Sequence, residues 1–477
     1  MSRFIDGEDR HQATLFPERL DDYIAEDSAV RVIDVFIEEL DISGLGFQSE
    51  PKSTGRPGFD PRTLLKLYVY GYLNRVQSSR RLKREAQRNV ELMWLIGRLA
   101  PDFRTIADFR KNNGEAIRLV CREFVMLCRK LELFTDAFVA IDGSKFKAVN
   151  QRDRNFTKAK MKRRLQQIDE SIERYLGQLA SADRQEPDVA EPKKARLEDK
   201  IAKLKEEMAR LRKLEGRMLK EPDQQISLTD PDARSMATSG RGTGMVGYNV
   251  QAAVDAKHHM IVAHEVTNVG HDRTSLATMA VQAKDAIGVE ELSVVADRGY
   301  FRGEEIQACE EASITAYLPK PQTSGNMAKG QFGKRDFIYK PDDDEYECPA
   351  GERAIYRFTR TENGKQIRRY WSSACIRCPI KAQCTDGVYR RISRWEHEAV
   401  LERAEARLDK EPERMRIRRQ TAEHPFGTLK AWMGSTHFQM KTLNKVSTEM
   451  SLHVLAYNMK RAIAILGAGP LIEAMRA

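Results

Sequence analysis

The sequence predicts an α/β fold, a mixed sheet flanked by helices, preceded by an all-helical amino-terminal part. Three observations carry this. Two short apolar runs, "FVAI" in "DAFVAIDGSKF" and "SVVA" in "ELSVVADRGYF", each end in an aspartate with a glycine within two residues; both read as buried strands emerging into loops. Between them, "GYNVQAAVDAKHHMIVAHEVTN" holds two β-rich runs around a polar turn, the pattern of a hairpin. Before residue 130 the apolar positions recur at helical spacing instead.

Taken in order, Pro61 to about Lys130 is helical with short breaks. Leu64, Leu65, Leu67, Tyr68, Tyr70 and Leu73 line a buried side, and Arg80, Arg81, Lys83, Arg84 and Arg88 follow it. Residues 1–130 are therefore expected to form a helical basic domain for DNA binding or dimerisation. Cys121 and Cys128, seven apart beside Phe124 and Leu127, are core residues. The first strand then leads through the hairpin to a helix in "HDRTSLATMAVQAKDAIG", capped by Asp272 or Thr274. A strand ending at Asp297, a short helix in "RGEEIQACEEA" and a strand in "SITAYLP" complete the sheet.

Two insertions interrupt that order. Met161, Leu165, Ile168, Ile172, Tyr175 and Leu179, then Leu197, Ile201, Leu204, Met208 and Leu211 after a break at Ser181–Pro192, alternate by four and three. This predicts an antiparallel helical hairpin over 155–220 with a coiled-coil seam. The second insertion, 321–410, contains Cys348, Cys375, Cys378 and Cys384. Four thiolates suffice for a closed structural zinc site, and the spacing is evenly balanced between that and free thiols in a small core. The expected sheet domain is thus assembled from 131–154, 221–320 and 411–477.

The chain has 477 residues and a formal charge of +10. Residues 1–50 carry 4 Lys/Arg against 13 Asp/Glu, net −9, and residues 51–130 carry 18 against 7, net +11. A basic block behind an acidic one suits a polyanion partner, against the alternative of an ordinary solvated surface. The opening "MSRFIDGEDR" lacks the apolar run of a secretory signal, and no stretch approaches the roughly 20 apolar residues of a membrane span. Seven cysteines without an export signal indicate a reduced, cytoplasmic protein.

Asp142 and Asp297 close their strands, where the backbone is rigid and the following glycine admits close approach. One strand-end aspartate alone would be read as a turn or cap. Two on adjacent strands would repel unless a cation sits between them. Hard Mg²⁺ takes one or two carboxylates with water and phosphate oxygens. A third acid, Glu423, stands in "RRQTAEHPFGTLK", where an ideal helix puts Arg419, Glu423 and Lys430 on one face. Pro425 should kink that helix just after Glu423.

"AIDGSKF", "VVADRGYF" and "RRQTAEHPFGTLK" resemble the three acidic motifs of bacterial DDE insertion-sequence transposases. The Arg-x3-Glu-x6-Lys spacing of Arg419, Glu423 and Lys430 is the most specific part. The family usually has a tyrosine three residues before the arginine, and this chain has Arg416 there. The likeness continues in the basic helices, "SLTDPDARSM", "GYNVQAAVD", the Cys-x2-Cys segment and "LAYNMKRA". It implies an RNase H-like core and two Mg²⁺ ions, replaceable by Mn²⁺, held by Asp142, Asp297 and Glu423. It further implies double-stranded DNA as partner, both element ends and target, a homodimer, and a nucleoid-associated location. DNA contacts are expected from Arg419, Lys430, Arg80, Arg81, Lys83, Arg84 and Arg234. The implied reaction is cleavage at element ends and joining of the 3′-OH to target DNA. The alternatives are a nuclease of the same fold that does not join strands, and an inactive DNA-binding relative. Asp230, Asp232, Tyr300, Phe301 and Trp432 each have a DNA-facing reading beside a plain turn or core reading, and His271-Asp272 is read either as lying near the site or, for Asp272, as a helix cap. His258 and His259 are expected in the hairpin turn.

Overall fold

The computed structural model describes residues 19–47, 57–134, 137–151, 154–182, 187–237, 244–321 and 325–477. The opening decapeptide falls outside the described residues, as do 183–186 within the break expected at Ser181–Pro192; from Pro187 onward that expected break is already helical.

Six helices come first: α1 (Ala29–Glu38), α2 (Pro61–Leu73), α3 (Ser79–Glu85), α4 (Val90–Leu95), α5 (Phe103–Asn112) and α6 (Gly114–Lys130). Pro61 occupies the first turn of α2, where its missing N–H is no loss, and Asp60 caps the Arg62 amide. Leu64 through Tyr72 are buried around the whole circumference of α2, so it needs cover on every side. The late helix α14 (Leu443–Leu466) supplies part of that cover, and α15 (Ala468–Arg476) packs against α1 and α14. Tyr72 meets His453 edge-on at 4.6 Å, Gln77 donates to the Met433 carbonyl, and Arg118 donates to Asn444. The amino-terminal helices thus share one apolar core with the carboxyl-terminal ones.

The central sheet contains β1 (Phe138–Lys147), β4 (Arg234–Ala237), β5 (Gly244–Asp255), β6 (Ile261–Thr267), β7 (Leu292–Val295) and β8 (Ile314–Tyr317); a separate pair joins β2 (Asn155–Thr157) to β3 (Gln225–Ser227). β1 runs antiparallel to β5 and parallel to β7, and β7 runs parallel to β8. β4 and β6 both pair with β5, on its first and later residues respectively. The sheet is therefore mixed. Its β7 and β8 are reached through α9 (Leu276–Ile287) and α10 (Gly303–Glu311), the crossover helices that parallel strands require.

Both faces of β1 are covered, which is why its apolar run is continuous. Val139 and Ile141 point into the main core, while Phe138 and Ala140 point to the other side. There they meet Val295, Tyr317 and Ala422 of α13 (Arg414–Gly427). This alternation positions the site, because Asp142 follows Ala140 on that second face.

The first insertion is α7 (Lys158–Ala182) and α8 (Pro187–Met218), joined through Met161, Ile168, Ile172, Ile201 and Leu211, with Arg164 paired to Glu207 at 2.8 Å. The second is an antiparallel sheet of β9 (Ile338–Lys340), β10 (Glu345–Glu347), β11 (Arg353–Glu362), β12 (Lys365–Trp371) and β13 (Ile392–Trp395), with the short α11 (Gly325–Ala328) before it and α12 (Glu398–Lys410) after it. Among the described residues, no helix is long and apolar enough to cross a membrane.

Candidate active site at the ends of two parallel strands

Asp142 lies within β1 and Asp297 two residues beyond β7, so the parallel pairing of Ala140 with Val295 puts both carboxylates at one end of the sheet, on the α13 face. Asp142 Oδ1 accepts from the Gly143 amide at 2.9 Å, and Asp297 Oδ1 accepts from Gly299 at 2.7 Å. Between the acids lies Arg418, whose Nη2 is 2.8 Å from Asp142 and 3.9 Å from Asp297. Burial pushes the Asp142 carboxyl up to about 6; Arg418 opposes that shift, and the nearby charges of Asp297 and Asp272 reinforce it.

Asp272 is the third acid in this group. Helix α9 begins at Leu276 with Ser275 as its N-cap, so the expected capping role of Asp272 is not what the structure shows. Its Oδ1 instead accepts from Lys145 at 3.3 Å and from Asn249 and Gln251 at 2.7 Å each. Tyr300, fully buried, donates to Gln251, which gives its hydroxyl a core role. A Cβ on Gly143 would lie 2.5 Å from Gln251 Nε2 and 2.6 Å from Asp272 Oδ1. Glycine is required there because this network closes over it.

Helix α13 lays Met415, Arg418, Ala422 and Phe426 toward the body of the protein, and Leu429 of the turn after it does the same. Ala422 packs with Ala140 and Val295, each two residues before one of the strand-end acids, so the next residue, Glu423, stands at the rim of the site. Its carboxylate is exposed. Among the described residues, no three His, Cys, Asp or Glu side chains are gathered closely enough to hold a metal ion. The structure thus brings Asp142, Asp297 and Asp272 near one another and leaves Glu423 beside them, turned outward.

Pro425 does not break the helix. Instead α13 continues to Gly427 and opens into a π-helical turn, Thr428–Trp432, a device for absorbing such an interruption. The His259 ring lies near the Thr421 carbonyl, which loses its helical partner to Pro425, and that carbonyl favours the protonated ring while burial opposes it. His259 sits in the β5–β6 turn, stacks on His424 at 5.1 Å, and presents its carbonyl to Tyr457. The wider turn takes Lys430 off the face expected for it. Lys430 Nζ donates to Ser144 Oγ at 2.6 Å and to the Lys145 carbonyl at 3.0 Å, over the Phe146 ring. Burial holds that amine below its usual range, with Asp142 pulling the other way. Arg419 is exposed on the outer side of the helix.

Other expected residues are placed as follows. Arg80, Arg81 and Arg84 are exposed on α3, while Lys83 pairs with Asp102 at 2.8 Å. Arg234 is engaged by Asp223 and the Pro231 carbonyl. Asp230, fully buried, accepts from Tyr248 and the Thr442 amide, and Asp232 accepts from the Leu443 amide at the start of α14. These are structural roles. Cys348, Cys375, Cys378 and Cys384 line one small pocket with Phe337, Ala354 and Ile380. Beside Asp297 opens a cleft of about 840 Å³ bordered by Arg273, Arg298, Arg302, Phe301, Lys365 and Trp395. Trp432 is 68% exposed.

Asp142 and Asp297 supply two donors of the chemical kind that a divalent cation takes, and water and phosphate oxygens would have to supply the rest. Both donors are hard carboxylate oxygens, and the Arg418 nitrogen already occupies, as a stand-in cation, the space they share. A family model for the Transposase DDE domain matches residues 219–459, and one for a Transposase domain (DUF772) matches residues 18–112. The first covers half of the chain, and the chain belongs to the DDE transposases. Asp272, Asp297, Arg418, Glu423 and Lys430 fall within that match, and Asp142 precedes it. No curated protein matches significantly. Among solved structures, a piggyBac transposase synaptic complex with hairpin DNA aligns over 94% of this chain and 79% of that one, at 8% identity and a TM-score of 0.30. That likeness is too slight to bear on fold or chemistry.

Proposed function

We propose that this transposase binds the ends of an insertion sequence, cleaves the phosphodiester backbone and transfers the 3′-OH ends to target DNA. The observation that carries the reading is the convergence of Asp142 and Asp297 on a single cationic atom at the ends of two parallel strands. In this reading Asp142 and Asp297 hold the divalent ions, and Glu423 turns inward from the rim to complete their ligands. When bound, two such ions supply Lewis-acid activation of the attacking oxygen and stabilisation of the departing one.

The chain's own residues prepare that chemistry. Gly143 and Gly299 amides fix the two carboxylates in direction, and Lys430 braces the strand segment after Asp142. Arg419, Arg80, Arg81 and Arg84 offer exposed charge to phosphates, which gives affinity without reading sequence. The cleft beside Asp297, with Arg273 and Arg298 at its border, suits the strand being processed. Both element ends require processing together, so a homodimer is the working assembly.

Paired end duplexes incubated with the protein, Mg²⁺ and a supercoiled target test the reading. Strand-transfer products support it; cleavage without joining favours the nuclease reading, and end binding without cleavage favours the inactive one.

A further inference from the structure

Arg418 has no role in the sequence reading, and its position supports an inference that rests on the divalent-cation reading above. Two carboxylates at neighbouring strand ends repel each other, and Asp142 is largely buried, so the metal-free pair needs a counter-charge. Other nearby cations are engaged elsewhere: Lys145 donates to Asp272, and Lys430 to Ser144 and a carbonyl. Arg418 fills the need. Its side chain is only 12% exposed, and one nitrogen, Nη2, serves both acids.

That arrangement leaves the guanidinium poorly satisfied. Its Nε is buried without a hydrogen-bond partner, whereas a guanidinium fork is best matched by two oxygens of one carboxylate or phosphate. A divalent cation between the same carboxylates would meet a positive charge in its own place. Both facts favour an exchange of partners.

We propose that Arg418 is the resident counter-ion of the Asp142–Asp297 pair, displaced when a divalent cation enters, and that its guanidinium then takes a phosphate of the bound DNA strand. Arg418 is a positioning residue in this scheme. It couples the two ligands: DNA offers Arg418 a new partner and so tightens metal binding, and metal tightens DNA binding by the same factor.

The test is Mn²⁺ binding to the full chain, followed by the paramagnetic signal of free Mn²⁺, with and without a short end duplex. Wild type should bind weakly alone and about tenfold more tightly with DNA. R418Q should bind tightly in both conditions. R418K keeps the charge and guards against a folding failure; without DNA it should stay within about threefold of wild type. In chelator R418Q should melt below wild type, and saturating Mn²⁺ should close the gap. R418Q binding Mn²⁺ no more tightly than wild type overturns the counter-ion role, as does an equal melting deficit with and without Mn²⁺. R418K binding about tenfold more tightly than wild type also overturns it, since the charge is retained. If wild type and R418Q both bind no better than D142N, the cation-site reading itself falls.

Discussion

Replacing Gly143 by alanine puts a methyl group into the most tightly closed part of the site. The added carbon would stand 2.5 Å from Gln251 Nε2, 2.6 Å from Asp272 Oδ1 and 3.1 Å from the Tyr300 hydroxyl. None of these groups is free to swing aside. Asp272 is held by Lys145, Asn249 and Gln251, and Gln251 also accepts from buried Tyr300. Overpacking of this kind costs about 1–3 kcal/mol, and loss of one hydrogen bond to Asp272 adds about 1 kcal/mol. G143A should therefore lose roughly 2–4 kcal/mol of stability in urea unfolding at unchanged m-value. Gln251→Ala makes room, so in that background the same substitution should cost at least about 1 kcal/mol less. A G143A protein within about 0.5 kcal/mol of wild type would refute the close packing around Asp272.

Three further outcomes follow from other parts of the structure. Burial holds His264 down to about 4 from an ordinary 6.5, so the unfolded chain binds that proton first on acidification. Its contribution to stability is complete above pH 6.5 and is lost as pH falls toward 4, about 3 kcal/mol in all; denaturation against pH shows this, and His264→Gln should flatten the slope. Elemental analysis separates the two readings of the four thiols that line one small pocket of the second insertion: one zinc per chain that Cys378→Ser removes, with a lowered melting temperature, marks a structural zinc site, and metal-free protein of high stability marks free thiols in a small core. Asp142→Asn should abolish cleavage and joining while end binding persists, and retained transfer would exclude Asp142 from the chemistry.

Much of this site was legible in the sequence because its strands are buried on both faces. Continuous apolar runs closed by aspartate mark β1 and β7 without knowledge of their neighbours, and the hairpin between them announces itself through its polar turn. The helix carrying Glu423 could be read, but not its orientation. An ideal helix aligns Arg419, Glu423 and Lys430; the face that meets the sheet instead carries Arg418 and Ala422, and the π turn after Pro425 shifts Lys430 against Ser144. Arg418 and Glu423 are about 140° apart around an α-helix, so an inward Arg418 and an outward Glu423 go together. Asp272 was readable equally as a cap or as a residue near the site, and the sequence could not decide because its partners, Lys145, Asn249 and Gln251, lie far away in sequence. The amino-terminal helices read as a separate module, since local periodicity cannot reveal that α14 completes their core.

The most direct measurement of the central claim is a structure with end DNA and Mn²⁺, read by anomalous scattering. The account predicts metal peaks bridging Asp142 and Asp297, with Glu423 turned inward as a further ligand and Arg418 withdrawn from both aspartates. Metal bound elsewhere, or a Glu423 that stays away from both aspartates in the loaded complex, would contradict it.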